Sequence, residues 1–448
     1  MTRAPRPRRQ PPRGPAKGTV HGPLLGELAV WALVLLPPLL VAPSAKESFR
    51  LPKLMACEWL GLASLVFLAW RLRGVAEIHG RDLWRLPVLR AVAPLLAVAT
   101  LGLATTRHPL HLREALADLW IGAACLVGWS LGLSRPQLER LLRGLLWPAA
   151  ALALLGLLQF HGIYQPLRFF DLAPGGRLAI TSTAGNPGDL GAYLVLPCLV
   201  AQWALAGRFR GGGRGRWATA AALAIALYAL AATQTLSALA ALLTGSVLLW
   251  GSLLPRRWRL PAAAAGLALA AVLVLAVPPL RARVTEKAGE VAAGDWNSVL
   301  TGRLDGWRTA AWMLRQHPLA GVGQGAFRTE FAPAKLALLA DGVQFFPRQV
   351  ESVFVNAHSE ILEVAADLGV PGLAALLWGI WMLVSALRRL AGAGEAAASG
   401  FALAGTGALA VLALAQFPFR VALTAFPALL FLAWVFRAAE SSGEEVPG

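Results

Sequence analysis

Twelve apolar stretches of 15 to 20 residues recur along the chain, and this repetition limits what it can fold into more than any other feature. They cover residues 24–42, 54–70, 88–104, 115–133, 141–160, 190–205, 217–232, 236–254, 260–277, 368–387, 401–416 and 421–435. A helix needs roughly 20 apolar residues to cross a bilayer, and only helices or closed barrels satisfy their backbone inside lipid. Charged residues make up 15% of the chain, where a soluble domain carries about 25%. A soluble globular enzyme, a disordered chain, a collagen and a disulfide scaffold are thereby excluded. The cysteines agree, because Cys57, Cys125 and Cys198 all lie in apolar runs with no partner in an aqueous loop. The expected fold class is all-α, a polytopic membrane helical bundle of about 12 transmembrane helices with one long aqueous loop.

Charge sets the expected orientation. The net charge of +17 suggests nucleic acid in a soluble protein but arginine-rich cytoplasmic loops in a membrane protein. With the N-terminus inside, the inside segments hold about 23 basic residues and the short outside loops about 8. Both termini are therefore expected in the cytoplasm, with the long loop outside. The expected divisions are a basic disordered tail (1–23), helices one to nine (24–280), a long periplasmic loop with helical segments (281–367), and helices ten to twelve with a cytoplasmic tail (368–448). The first apolar stretch is long for a signal peptide and is read as a retained anchor. The tail's charge is read as topology and lipid contact, with no nucleic-acid partner. The long loop follows the ninth span, which fits poorly with a transporter built from two equal halves.

The long loop carries most of the candidate chemistry. Residues 298–316 read as a helix capped by Ser298, with apolar residues at Leu304, Trp307, Ala311 and Leu314. His317-Pro318 ends it. Gly321, Gly323 and Gly325 then alternate, which permits close approach to the backbone. They follow a helix, so they are no dinucleotide fingerprint. Arg303 and Trp307 share a helix face, whereas Arg308 lies roughly 140° away from Arg303. Spacing alone leaves both arginines free to face water or lipid phosphate instead of a substrate. His358 begins a helix, with Glu360 and Glu363 within a turn. Such a histidine is either a proton acceptor oriented by a carboxylate or an interfacial hydrogen-bonding residue. Five of the seven histidines fall outside, but none stands at convincing zinc-ligand spacing, so no metal is expected. A compact turn-rich stretch runs from Arg177 to Asp189, and Arg177 either faces the same cavity as His358 or anchors the interface.

Three stretches together resemble the O-antigen ligase and O-antigen polymerase family of membrane glycosyltransferases. They are Arg303-Leu-Asp-Gly-Trp307 running through His317-Pro-Leu-Ala-Gly-Val-Gly-Gln-Gly-Ala-Phe327, Ala357-His-Ser-Glu-Ile-Leu-Glu363 running through Asp367-Leu-Gly369, and the weaker Gly185-Asn-Pro187 before a span. Phe49-Arg-Leu-Pro-Lys53 is family-like as well. The resemblance implies a GT-C-like bundle in a bacterial cytoplasmic (inner) membrane. It implies metal- and cofactor-independent transfer of an undecaprenyl-diphosphate-linked glycan onto a lipid A-core or glycan acceptor. His358 corresponds to the family's base for the acceptor hydroxyl, and Arg303 to an arginine that binds the donor diphosphate. Arg177, Arg308, Gly321, Gly323, Gly325 and Glu360 are the expected substrate-binding residues. One departure stands out. Ligases of this family carry an arginine in a mid-chain turn, and here that turn reads Thr233-Gln-Thr-Leu-Ser-Ala238. Arg177, Arg281, Arg283 or Arg308 is expected to supply the missing contact. The rival expectation is a transporter or flippase of lipid-linked saccharides, with Glu27, Glu58 and Asp118 as candidate mid-membrane charges.

Overall fold

A computed structural model describes residues 23–45, 47–72, 84–104, 108–166, 174–208, 214–346 and 354–444. The tail before residue 23 and the loop residues Lys46, Arg73, Arg81, Arg107, Arg168 and Arg210 lie outside the described residues. The described residues form helices, and no strand occurs among them. Eleven helices are long and apolar enough to cross a membrane, and a shorter apolar helix over Glu27–Leu39 takes the place of the first expected span.

In chain order the first helices are α1 (Pro23–Leu35), α2 (Arg50–Leu72), α3 (Pro87–Leu101), α4 (Pro109–Gly132), α5 (Arg135–Gly144), α6 (Leu146–Phe160), α7 (Pro187–Arg208), α8 (Arg214–Ala232), α9 (Leu236–Leu253) and α10 (Arg256–Ala276). Helices α5 and α6 together make one span. The long loop then folds as α11 (Pro278–Ala292), α12 (Trp296–Val299), α13 (Arg303–Gln316) and α14 (Phe327–Ala340). Three spans close the chain: α15 (Glu360–Gly392), α16 (Ala396–Ala415) and α17 (Ala422–Glu444).

Contacts between loops fix the parity of these crossings. At one end Arg50 pairs with Asp189, Lys53 Nζ donates to the carbonyl of Thr183, and Phe419 N–H donates to Glu360. These bonds join the turns that open α2, α7, α15 and α17. At the opposite end Arg135 pairs with Glu395 and Arg140 with Glu27. Such contacts require both tight turns, α8–α9 and α16–α17, to be true reversals. Merging either helix pair would bring opposite ends together.

Small residues let the spans approach closely, as lipid-facing bundles need in the absence of a hydrophobic drive between helices. A Cβ on Gly245 of α9 would stand 3.0 Å from the Ala404 carbonyl of α16. Nearby, the Trp203 and Phe401 rings stack at 4.4 Å. The exception is α10, which buries none of its residues.

The structure corrects two local expectations. The helix expected to begin at Ser298 is broken. Asp295, not Ser298, caps the short α12, and Gly302 at φ 78° starts α13 afresh. Arg303 therefore sits in the first turn of a helix rather than inside one. The second correction concerns α15, which starts at Glu360 but kinks at Gly369 (φ 66°, ψ −163°). The kink exists because the loop at Pro318–Gly325 docks there. Val370 N–H donates to the Pro318 carbonyl (2.8 Å), and the amides of Val322 and Gly323 donate to Ala366 and Asp367 (both 2.9 Å).

A Cβ on Gly321 would lie 2.2 Å from the Asp367 carbonyl oxygen, at φ +65°. Gly394 has a similar φ of +77° in a turn with nothing within 4 Å. Gly394→Ala should therefore cost only the left-handed penalty of roughly 1–2 kcal/mol. Gly321→Ala adds a backbone clash and should lower the midpoint of thermal unfolding in detergent considerably more.

Candidate active site

The motif that begins at Arg303 divides its labour along the first turn and a half of α13. Asp305 is buried and braces the loop, accepting from Asn297 Nδ2 and from Phe346 N–H (both 2.8 Å). Gly306 leaves room for the Ala357 carbonyl, which a Cβ would meet at 2.8 Å. Trp307 Nε1 donates to the His358 carbonyl (3.4 Å). One helical turn thus carries both Arg303 and the residue that holds His358.

His358 adopts φ +56°, a left-handed conformation that costs a non-glycine residue about 1–3 kcal/mol. Glu363 over-determines it. Its Oε2 accepts the Ala357 amide (2.8 Å) and its Oε1 accepts Asn356 Nδ2 (2.9 Å). The His358 ring lies between Phe354 (5.3 Å) and Phe417 (5.0 Å). Burial, and after it the positive charges of Arg303 and Arg50, push the imidazole down to about 3. In the free protein His358 is therefore neutral at any physiological pH. Arg50 also packs on Phe417, its guanidinium 5.9 Å from that ring.

Glu363 is in turn fixed by Arg420, from the α16–α17 turn. That guanidinium reaches Glu363 (3.0 Å), Glu360 (3.4 Å) and Asp367 (3.4 Å), three carboxylates on one face of α15. Burial alone would lower the Arg420 pKa, but the carboxylates of Glu363, Asp367 and Glu360 raise it above the ordinary arginine value. Asp367 extends the chain of bonds to the glycine loop by accepting the amides of Gly325 (3.0 Å) and Phe327 (3.2 Å).

A second group of charges has far less compensation, with Glu286 against Arg283 its one carboxylate contact among the described residues. Burial first, then Arg177 and Arg283, bring the Arg303 pKa down to about 10. Arg177 is likewise lowered, by burial and by Arg283. The Nε atoms of Arg177 and Arg303 are buried without a hydrogen-bond partner. Arg283 is partly occupied, by Glu286 (3.0 Å) and Thr301 (3.5 Å). Three guanidiniums that repel one another, two with orphaned donors, form a site suited to an anion. Planar guanidiniums bind phosphate oxygens in pairs, and the first turn of α13 adds its own positive potential.

Not every expected residue joins this site. Arg308 points elsewhere and donates to the Gln344 carbonyl (3.0 Å). Gly321 and Gly323 serve the chain's own packing against Asp367, and Gly325 approaches both His111 and the Asp367 carboxylate. Glu360 is buried and its two carboxylate oxygens accept from Phe419 N–H and Arg420. In the mid-chain turn where the family's arginine was expected, Gln234 leaves its Nε2 buried and unpartnered. Arg283 and Arg177 are the cations grouped with Arg303. Arg420 escaped sequence reasoning because it sits far along the chain from the motifs, whereas Arg50 lies in the family-like Phe49–Lys53 stretch without a role being assigned to it. No group of three metal-ligating side chains occurs among the described residues.

Residues 221–377 match the family model described as O-antigen ligase. That stretch includes Arg283, Arg303, Trp307, the glycine loop and His358, but not Arg50, Arg177 or Arg420. No curated protein matches the chain.

Arg420→Leu would leave three carboxylates together in a buried patch. Removing one partner of a buried ionic group typically costs about 3–5 kcal/mol. The thermal midpoint in detergent should fall accordingly, and Arg420→Lys should recover only part of the loss.

Proposed function

From a chain whose residues 221–377 are of the O-antigen ligase family, we propose a membrane glycosyltransferase that moves an undecaprenyl-diphosphate-linked glycan onto an acceptor hydroxyl. The acceptor is lipid A-core or another repeat unit, and the reaction faces the periplasm, with both termini in the cytoplasm. The observation that carries this reading is the neutral imidazole of His358 beside the guanidiniums of Arg303 and Arg177, whose Nε atoms are buried without a partner, with Arg283 next to them.

The chemistry needs little more than these groups. A sugar diphosphate is already a good leaving group, so the donor has to be positioned and its charge neutralised. Arg303, Arg177 and Arg283 take the diphosphate. His358 accepts the proton of the acceptor hydroxyl as its oxygen attacks the anomeric carbon, and the glycosyl–phosphate bond breaks with its electrons leaving on the diphosphate. Donor binding also prepares the base. A diphosphate among the arginines offsets the positive charge that adds to burial in depressing His358, so its pKa rises by the part the charges contribute and the imidazole becomes a stronger proton acceptor. The catalyst then gains strength only when its donor is present.

The transporter alternative draws on Glu58 and Asp118 in the spans, which hydrogen-bond to each other. Glu27 lies at the end of the bundle with Arg140 and Gln137. A transporter forms no glycosidic bond in detergent, so transfer by the purified protein separates the two.

His358→Ala should lower transfer by about 10²–10⁴-fold and abolish surface glycan at unchanged protein level; full glycan in that strain refutes the base assignment. Arg303→Lys keeps the charge but loses the fork, and should lower kcat/KM by about 10- to 100-fold. The pH profiles carry a further check. The acid limb of kcat/KM reports the free enzyme and should lie far below pH 6.5. The limb of kcat, which reports the donor complex, should lie at higher pH. Arg50→Gln removes one of the depressing charges and should move the kcat/KM limb upward.

A further inference from the structure

The base proposed above is flanked by hydrocarbon. Phe354 stands edge-on to the His358 ring, 5.3 Å away at 76°, and Phe417 lies 5.0 Å from it at 57°. Phe354 is buried in the long loop's own core with Met313 and Phe331. Phe417 comes from the α16–α17 turn, and both its neighbours in the chain are tied down. Gln416 Nε2 donates to Ser237 Oγ (2.6 Å), and the Pro418 carbonyl accepts from Thr424 Oγ1 (2.7 Å). Arg50 packs on the same ring and is itself held by Asp189 (3.0 Å). A turn braced at three points thus keeps one phenyl ring against one imidazole. Neither imidazole nitrogen has a hydrogen-bond partner among the described residues.

Room for water lies close by. A cavity of about 760 Å³ runs between α2, α3 and α4 on one side and α15, α16 and α17 on the other. Its wall includes Asn356 and Glu360, two residues to either side of His358 in the chain. It also includes Glu58, Glu114 and Asp118, whose carboxyl groups give water hydrogen-bond partners. Among the described residues, His358, Phe354 and Phe417 are not part of that wall. The imidazole therefore neighbours a wettable hollow without lining it.

The chemistry makes this separation matter. A base able to take a proton from a sugar hydroxyl can take one from water, and water outnumbers any acceptor. Water attacking the anomeric carbon would give its proton to His358. The glycosyl–phosphate bond would break with its electrons leaving on the diphosphate, releasing free glycan and undecaprenyl diphosphate. Enclosing the reacting groups prevents such side reactions. Phenyl rings on both flanks offer water no hydrogen bond, whereas a sugar brings a C–H face that suits the negative face of an aromatic ring.

We propose that Phe354 and Phe417 set the preference for an acceptor hydroxyl over water, and that loss of the Phe417 ring turns the protein into a hydrolase of its own donor. The proposal rests on the transferase reading above and deepens it. The rings take no part in the bond changes; they act through His358 by keeping its surroundings dry.

Phe417 is only partly buried and lies on a turn, so it carries the test. The full-length protein in nanodiscs is given a tritiated undecaprenyl-diphosphate-linked repeat unit as donor and lipid A-core as acceptor. Transferred glycan and free reducing glycan are counted separately. The wild-type protein should release little free glycan, with or without acceptor. In Phe417→Ala the ratio of transfer to release should fall by about tenfold or more, the scale on which a hydrophobic pocket responds to lost volume. Phe417→Leu keeps hydrocarbon at the position and should retain most of the wild-type ratio. The acid limb of kcat/KM should also move upward in Phe417→Ala, because water around the imidazole relieves the burial that holds its pKa down at about 3. A ring with a merely structural role would lower transfer and release together and leave ratio and limb in place, and that result overturns the proposal. So does a wild-type protein that releases free glycan as fast as it transfers it, a measurement that needs no variant to fold. An unchanged ratio in Phe417→Ala beside an inactive His358→Ala removes the water barrier and leaves the base assignment. Intact transfer in His358→Ala removes the base assignment, whatever Phe417→Ala does.

Discussion

One buried guanidinium ties the functional end of this bundle together. Arg420 bonds to Glu360, Glu363 and Asp367 along one face of α15, and each carboxylate holds something different. Glu360 fixes the α16–α17 turn, Glu363 fixes the backbone around His358, and Asp367 fixes the glycine loop. Desolvating these charges is expensive, and it is compensated only because nearly every carboxylate oxygen has a donor. The result is a rigid floor on which a strained histidine persists.

Above that floor the electrostatics are deliberately unbalanced. Arg420 is surrounded by carboxylates, whereas Arg177 and Arg303 have buried donors with no partner. The contrast separates a cation used for structure from cations free to meet a ligand. The same field that suits an anion adds to burial in keeping His358 neutral, so on the proposed reading substrate binding and proton acceptance are coupled.

On the proposed reading, the turn containing Gln234 illustrates how a phosphate site can do without an arginine at that point in the chain. Here a left-handed glutamine with an unpartnered amide stands where a family arginine was expected. The start of α11 packs against the end of α8 through Leu280, Val277 and Ala231. Arg283 follows one turn later and joins Arg303 from that side. A phosphate site needs positive charge at a place in space, not at a place in the sequence.

The sequence by itself determined the all-helical bundle and the number and order of its apolar segments, because bilayer thickness and backbone hydrogen bonding leave a long apolar run few alternatives. It also exposed Arg303 and His358, since both lie in short motifs where local spacing carries the signal. The break before Arg303 was not expected, because Ser298 and Asp295 are both plausible caps and only the loop packing decides between them. Arg308 and the glycines looked like ligand contacts because close approach is legible locally, but what approaches is not. Arg50, Arg283 and Arg420 belong to different elements, up to 370 residues apart in the chain, and the long cavity is walled by six helices. Only tertiary structure decides which charges share a desolvated space, because that depends on which helix ends meet.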